Sequence, residues 1–127
     1  MLGAIVGDIV GSRFEFNNTH RMDFELFTPG CGFTDDTVCT VAVADALMRG
    51  ADFGQTLHSW CRRYPYPTGG YGGRFRQWVA SNNPQPYNSF GNGAGMRVSP
   101  CGWIDGPVDD VREAAKRSAE CTHNHPE

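Results

Sequence analysis

The sequence predicts an all-α fold: an orthogonal bundle of five or six helices in a single domain spanning residues 1–127. Apolar residues recur at spacings of three and four in several segments, which is the pattern of one helical face. Capping residues precede these segments, and glycine and proline collect in two loop-forming clusters between them. No segment has the length and the alternating pattern of a half-buried strand, so a sheet is not expected.

The first periodic segment covers residues 2–15. Its apolar side is formed by Leu2, Ile5, Val6, Ile9 and Val10. This spacing predicts a helix with one apolar face. A second face carries Gly3, Gly7 and Gly11. Small residues at this spacing would let another backbone approach closely, with a loosely specified surface helix as the alternative. A third face brings Asp8, Ser12 and Glu15 to one side of the helix.

Residues 16–33 show no sustained period and are interpreted as a loop. A second helix is predicted from Thr34 to the Gly50 stop. Thr34 is a favourable N-cap, and Asp35 and Asp36 suit the positive end of the helix dipole.

The third helix is predicted between an Asp52 cap and Pro65. Its apolar face comprises Phe53, Leu57, Trp60, Cys61 and Tyr64. Shorter helices are expected over residues 75–80 and 94–101, separated by glycine-rich loops. A last helix begins with Pro107 at its first position. Its inward side is predicted to be Val108, Val111 and Ala115.

Charge and composition exclude two classes of partner. The formal net charge of −3 lacks the basic footprint that duplex nucleic acid requires. No apolar run reaches the roughly 18 residues of a membrane span. The first residues also lack the basic start and cleavage site of a signal peptide. Five cysteines without C-x-x-C spacing fit neither a disulfide framework nor a zinc ribbon, so reduced thiols and a cytoplasmic location are expected.

The strongest candidate for chemistry is the run Thr34-Asp35-Asp36-Thr37. Hard oxygen ligands at a helix start suit Mg²⁺ or Mn²⁺, although the same residues would also form an ordinary capping sequence. The carboxylates of Asp8 and Glu15 could converge on this helix start and help to position a water molecule. A solvated face, or an ion pair with an arginine, is the alternative for these two acids.

Two further motifs contain residue types that bind ligands. Residues 86–97 form an Asn- and Gly-rich turn that runs into a helix, and such a turn can present backbone amides to phosphate. The spacing matches neither a Walker motif nor G-x-G-x-x-G, so an ordinary loop is the alternative. In the tail, Cys121, His123 and His125 alternate with other residues. Their spacing and number do not suit structural zinc, and a polar helix end is preferred.

Five motifs in order give the sequence a family resemblance. They read G-A-I-V-G-D-I-V-G-S-x-x-E at residues 3–15, F-T-D-D-T at 33–37, G-Y-G at 70–72, S-F-G-N-G-x-x-M-R at 89–97 and T-H-N-H-P-E at 122–127. Together they closely resemble the ADP-ribosylglycohydrolase superfamily, which includes the ADP-ribosyl-acceptor hydrolases. The resemblance implies an all-α fold, a binuclear Mg²⁺ or Mn²⁺ centre, and hydrolysis of the bond that joins ADP-ribose to its acceptor.

The resemblance also implies roles for individual residues. The metal ligands would be Thr34, Asp35 and Asp36, and Glu15 would act at the scissile bond or its water, with Asp8 in support. The substrate-binding residues would be Ser89, Gly91, Asn92, Gly93 and His123. The first four would cradle the diphosphate of an ADP-ribosylated substrate, and His123 would contact the substrate.

The sequence departs from the family pattern in length. Family members carry a late D-x-D-[ST] type motif that supplies the remaining metal ligands, and nothing like it is found here. The bundle is therefore expected to be incomplete relative to the family fold. A missing segment or a second chain would complete the site, or the chain would be a non-catalytic ADP-ribose binder or structural remnant. The acceptor, the choice between Mg²⁺ and Mn²⁺ and the oligomeric state stay open.

Overall fold

A computed structural model describes residues 1–125 and confirms the all-α class. The helices in chain order are α1 (Leu2–Gly11), α2 (Asp35–Arg49), α3 (Phe53–Arg63), α4 (Gly73–Ala80), α5 (Gly93–Arg97) and α6 (Val108–Glu120). Two 3₁₀ segments, Ser12–Phe14 and Ser99–Trp103, follow α1 and α5. Within residues 1–125, β structure is limited to one isolated parallel bridge between Thr34 and Thr68.

Two predicted helices are shorter than expected, for local reasons. The helix predicted over residues 2–15 ends as an α-helix at Gly11. There Ser12 Oγ donates to the Ile9 carbonyl at 2.9 Å and accepts from the Gly32 amide at 3.1 Å, so this side chain competes with the helical ladder. The helix predicted over residues 94–101 divides into α5 and a 3₁₀ segment, because Pro100 has no N–H to continue the α ladder.

The core lies where α2 packs on α3, with α4 and the residues around α5 at its sides. One buried cluster contains Val38, Cys39, Ala42, Leu57, Cys61, Trp78 and Val79. A second contains Val43, Ala46, Phe53 and Cys101. The predicted apolar face of the third helix is confirmed, since Phe53, Leu57 and Cys61 are all buried. Small residues along α2 let the neighbouring helices approach it closely.

The start of α6 departs from the prediction. The prediction that Val108 faces inward is wrong. Val108 is the first residue of α6 and is 61% exposed. The contacts with the second buried cluster are made by Ala114 and Ala115, nearly two turns further on. Val111 and Ala115 are partly buried, as expected.

The first helix is the least buried of the long elements. None of its residues is buried, and Leu2 and Val6 are 76% and 46% exposed. A Cβ atom placed on Gly3, Gly7 or Gly11 would meet no atom within 4 Å in the described part of the chain. Ile5, Ile9 and Val10 of the predicted apolar face are partly buried, whereas Leu2, Val6 and the glycine face stay open to solvent within residues 1–125.

The structure describes the state of the cysteines and the lengths of the helices. All five cysteines are free thiols, although Cys39 Sγ and Cys61 Sγ lie 3.9 Å apart in the core. No helix formed by residues 1–125 combines the length and the apolar character needed to cross a membrane. The cytoplasmic location stays a prediction.

Replacement of Leu57 by alanine tests the core. Leu57 is 1% exposed, so Leu57→Ala removes buried methyl groups and leaves a cavity between α2 and α3. We expect the free energy of unfolding in urea to fall by about 2–5 kcal/mol. The control, Met48→Ala, truncates a side chain on α2 that is 86% exposed, and it should change stability by less than about 0.5 kcal/mol. Equal effects of the two changes would contradict this core assignment.

Candidate functional site

A cleft of about 650 Å³ gathers most of the residues that the motifs singled out. One wall is acidic and contains Glu15, Asp35 and Asp36. The loop before α5 and the tail also line the cleft, through Ser89, Gly91, Asn92, Gly93 and His123. The glycine-rich turn 69–73 lines it as well. Segments that are far apart in sequence therefore meet in one cavity, and Thr34 is the predicted site residue that does not line it.

The acidic wall is assembled by the carboxylate of Asp8. Its Oδ1 accepts from the hydroxyl of Thr34 at 2.5 Å. Its Oδ2 accepts from the Thr34 amide at 2.9 Å and from the Thr37 hydroxyl at 2.5 Å. These contacts join α1 to the first turn of α2. Asp8 is thus neither a solvated surface acid nor the partner of an arginine, and it holds the helix start that carries Asp35 and Asp36.

Thr34 serves as the N-cap of α2, as predicted. Its Oγ1 accepts from the Asp36 amide at 3.1 Å while donating to Asp8. The residue is 3% exposed, so its hydroxyl lies beneath the cleft surface. One lone pair of this oxygen is left for a further partner. Capping and metal ligation, which were alternatives at the sequence level, are compatible at this residue.

The two aspartates at the start of α2 form a strongly acidic environment. Burial raises the pKa of Asp35 to about 6, and the negative charges of Asp36, Glu15 and Asp8 add to the effect. Burial and the charge of Asp8 also raise the pKa of Asp36. Among the described residues, the side-chain ion pairs involve other acids, so no arginine or lysine neutralises this wall. A cation at this wall would offset the mutual repulsion of the carboxylates.

The position of Glu15 depends on a glycine. A Cβ placed on Gly69 would lie 2.5 Å from Glu15 Oε2, and Gly69 has a φ of +78°. The carboxylate of Glu15 therefore rests directly on the backbone of the 69–73 turn, where a side chain would displace it. Gly70 also has a positive φ, of +75°, but a Cβ placed on it would meet no atom within 4 Å in the described part of the chain.

Hydrogen bonds to residues 122–124 hold the loop before α5 in place. The Asn88 amide donates to Asn124 Oδ1 at 2.8 Å, and the Ser89 amide donates to the Thr122 carbonyl at 3.0 Å. His123 Nε2 lies 3.0 Å from the Gly91 carbonyl. Both ring nitrogens of His123 are hydrogen-bonded within the protein, because Nδ1 lies 2.7 Å from Thr122 Oγ1. Residues 126 and 127, which end the last motif, lie outside the described residues.

Sequence reasoning assigned no role to Arg97 and Phe90, which also line the cleft. Arg97 is 1% exposed, and its Nη2 donates to the Ser118 carbonyl at 2.9 Å and to Thr122 Oγ1 at 2.8 Å. Phe90 is 91% exposed, and the Arg74 guanidinium lies 5.6 Å from its ring centre. Arg97 ends the motif S-F-G-N-G-x-x-M-R, and Phe90 lies within it, so the motif itself was the available signal.

The donors present fit part of a divalent-metal site. Asp35, Asp36 and the Thr34 hydroxyl are hard oxygen ligands of the kind that Mg²⁺ and Mn²⁺ prefer. No group of three His, Cys, Asp or Glu side chains within residues 1–125 is arranged to hold a metal ion. If a metal ion binds here, these residues would supply only part of its ligands, and water or further protein groups would have to supply the rest.

The fold and the cleft define an all-α protein in which acidic residues and a glycine-rich loop line one cavity. The family model for ADP-ribosylglycohydrolase matches residues 1–127, and the chain belongs to this family. It is similar to ADP-ribosylhydrolase ARH3 of Mus musculus, with 28% identity over 156 aligned residues, which cover 97% of this chain and 42% of that protein.

Two further relatives give the same picture. ARH3 of Homo sapiens is 28% identical and ARH3 of Bos taurus is 26% identical, and in each comparison 97% of this chain covers 43% of the relative. The chain thus spans less than half the length of these relatives. The alignment is also longer than the chain, so it contains positions where the relatives have residues and this chain has none. No solved structure matches the chain significantly.

Two glycine substitutions test whether the Glu15 carboxylate rests on the 69–73 turn. Both Gly69→Ala and Gly70→Ala place alanine at positive φ, which costs about 1–2 kcal/mol of stability in each case. Only Gly69→Ala forces the Glu15 carboxylate to move, because only its methyl group meets Oε2. We expect the carboxyl ¹³C resonance of Glu15 to shift in Gly69→Ala and to stay unchanged in Gly70→Ala. Unchanged spectra in both variants would show that Glu15 does not rest on this turn.

Proposed function

We propose that this cleft binds ADP-ribose and that, in a completed protein, it hydrolyses the bond between the anomeric carbon of ADP-ribose and its acceptor. The observation that supports this most directly is the cleft itself. It brings the carboxylates of Glu15, Asp35 and Asp36 and residues of the 89–93 loop into one cavity. A diphosphate and a sugar bond on the same molecule need these two environments side by side.

The loop suits the diphosphate for electrostatic reasons. The first amides of α5, at Gly93 and Ala94, have no carbonyl partner within their own helix, so they can donate to phosphate oxygens. The guanidinium of Arg97 contributes positive charge beneath them. The exposed ring of Phe90 offers a flat apolar face against which a purine base can stack.

Glu15 is the residue that we propose acts at the scissile bond. With the diphosphate on the loop, the sugar end of the substrate extends toward the acidic wall. A carboxylate there can orient the attacking water and accept its proton as positive charge develops at the anomeric carbon. Asp8 acts indirectly, by keeping α1 and α2 in register.

We propose that Thr34, Asp35 and Asp36 hold Mg²⁺ or Mn²⁺. Such an ion supplies Lewis acidity and lowers the pKa of bound water. Hard oxygen donors and an acidic wall without a basic partner support this assignment. Because two carboxylates and one hydroxyl leave about half of a near-octahedral shell to water, binding by residues 1–125 alone should be weak.

We propose that further polypeptide, as a continuing segment or a second chain, completes the protein by covering α1. The relatives are more than twice as long as the portion that this chain matches. The exposed Leu2 and Val6, with the open glycine face beside them, offer an apolar surface of the kind that another helix buries. The same segment would supply the remaining metal ligands.

A second candidate is a non-catalytic ADP-ribose binder. One observation favours it: residues 1–125 contain no cluster of three metal-ligating side chains, whereas the loop and the cleft are present. A binder needs the loop and Phe90 but does not need Asp35 or Asp36. Binding and turnover measurements therefore separate the two candidates.

Calorimetric titration of the chain with ADP-ribose tests the binding step that both candidates share. We expect saturable binding that Phe90→Ala weakens about fivefold or more, because a stacked base contributes about 1–3 kcal/mol. The control, Tyr66→Ala, removes another exposed aromatic ring, which is 92% exposed and lies outside the cleft. It should leave the Kd unchanged. Absence of saturable binding would refute the assignment of the cleft.

Turnover tests the hydrolase. The chain alone should release no ADP-ribose from arginine- or serine-linked substrates above background. Addition of the unmatched part of the Mus musculus relative, in cis or as a separate chain, should produce Mg²⁺- or Mn²⁺-dependent release. This release should fall at least about a hundredfold on Asp35→Ala or Asp36→Ala. The control Asp105→Ala removes an exposed acid outside the cleft and should have no effect. Rescued turnover that tolerates both aspartate changes would contradict the mechanism.

A charge substitution on α1 tests whether further polypeptide packs on this helix. Val6→Glu should lower the free energy of unfolding of the isolated chain by less than about 1 kcal/mol, because nearly half of the residue is already exposed to solvent. It should weaken association with the added segment at least tenfold, since a charge would be buried in an apolar contact. Val108→Glu, at an exposed valine on α6, is the matched control and should not affect association. Normal association of Val6→Glu would place the partner elsewhere.

A further inference from the structure

A series of three hydrogen bonds runs beneath the glycine-rich loop. Arg97 Nη2 lies 2.8 Å from Thr122 Oγ1, and that oxygen lies 2.7 Å from His123 Nδ1. His123 Nε2 lies 3.0 Å from the carbonyl oxygen of Gly91. Arg97 and Thr122 are 1% and 0% exposed, so water does not compete with the first contact. The series connects a buried cation to one peptide group of the loop.

The chemistry of the end groups determines where each proton lies. A guanidinium only donates, so Thr122 Oγ1 accepts from Arg97. A carbonyl only accepts, so His123 Nε2 must carry a proton and donate it to Gly91. In the neutral ring Nδ1 is then an acceptor, and the Thr122 hydroxyl donates to it. The alternative acceptor for this hydroxyl, the Ala119 carbonyl, is farther away at 3.5 Å. Every donor in the series thus points from Arg97 toward the loop.

The neutral ring that this series requires is supported by its surroundings. Burial lowers the pKa of His123, and the positive charge of Arg97 acts in the same direction, although the hydrogen bond to Gly91 opposes them. Arg97 is itself anchored to the end of α6 through the Ser118 carbonyl at 2.9 Å. The series is therefore anchored at the C-terminal end of α6.

We propose that Arg97, Thr122 and His123 are positioning residues that orient the Gly91–Asn92 peptide for binding the diphosphate of ADP-ribose. In a trans peptide the C=O and the following N–H point in opposite directions, so holding the Gly91 carbonyl also sets the direction of the Asn92 amide. If this peptide flipped, a carbonyl oxygen would take the place of an N–H donor and repel a phosphate. The inference rests on the proposed binding of ADP-ribose in this cleft.

Close packing around the loop agrees with this role. A Cβ on Gly93 would lie 3.4 Å from His123 Cε1 and 4.0 Å from Arg97 Nη1, so the loop lies directly on these side chains. The earlier part of the loop has separate anchors at the Asn88 and Ser89 amides. Loss of the series would therefore free the Gly91 peptide without releasing the whole loop.

The test combines a spectroscopic measurement with ligand binding. In the ¹⁵N-labelled chain, two-bond correlations from the ring protons show which nitrogen of His123 is protonated, and we expect Nε2. Thr122→Val keeps the shape of the side chain but removes the hydroxyl. It should produce a mixture of tautomers and weaken ADP-ribose binding about threefold to tenfold by calorimetry, the effect of one hydrogen bond. Thr122→Ser should restore both properties.

The control and the contrary outcomes separate this inference from the proposed function. Thr56→Val makes the same change at a buried threonine of α3 outside the cleft and should alter neither the tautomer nor the Kd. A wild-type ring protonated at Nδ1, or a Thr122→Val variant with an unchanged tautomer and Kd, would overturn the inference. A chain with the expected tautomer that binds no ADP-ribose would instead refute the proposed function and the diphosphate role that rests on it.

Discussion

The carboxylate of Asp8 is the contact on which the acidic side of the molecule depends. It accepts three hydrogen bonds from the start of α2, and two of these come from Thr34. No residue of α1 is buried, so apolar packing alone does little to fix this helix. The polar contact therefore sets the position of α1, and with it the place of Glu15 relative to Asp35. A half-buried carboxylate that accepts three hydrogen bonds is a strong and directional constraint.

The part of the cleft formed by the glycine-rich loop contains a buried cation, Arg97. Arg97 has no carboxylate partner among the hydrogen bonds it forms, and it is held by a carbonyl and a hydroxyl near the end of α6. The cleft thus has a positive floor beneath the glycine-rich loop and a negative wall at the start of α2. This separation of charge suits a ligand whose diphosphate and sugar lie at different ends.

The surface of α1 and the length of the relatives fit one explanation. The helix presents Leu2 and Val6 to solvent, and the matched region covers only 42% of the Mus musculus relative. An apolar helix at an edge is expected where additional polypeptide packs in a longer protein. The residues that we propose as metal ligands fit the same explanation, since their oxygen donors suit Mg²⁺ or Mn²⁺ in kind but are too few in number. The proposed completing segment would account for both features.

The sequence by itself determined the helices, their caps and the family. Thr34 and Asp52 cap α2 and α3 as predicted, because a capping hydrogen bond involves residues only two or three positions apart. Only the tertiary structure decided that Asp8 binds Thr34, that Gly69 seats Glu15 and that Arg97 lies beneath the loop. These contacts join residues that are distant in the chain, and local patterns carry no information about such pairs. Burial was decided in the same way, since an apolar face such as that of α1 predicts a contact but does not supply the partner that covers it.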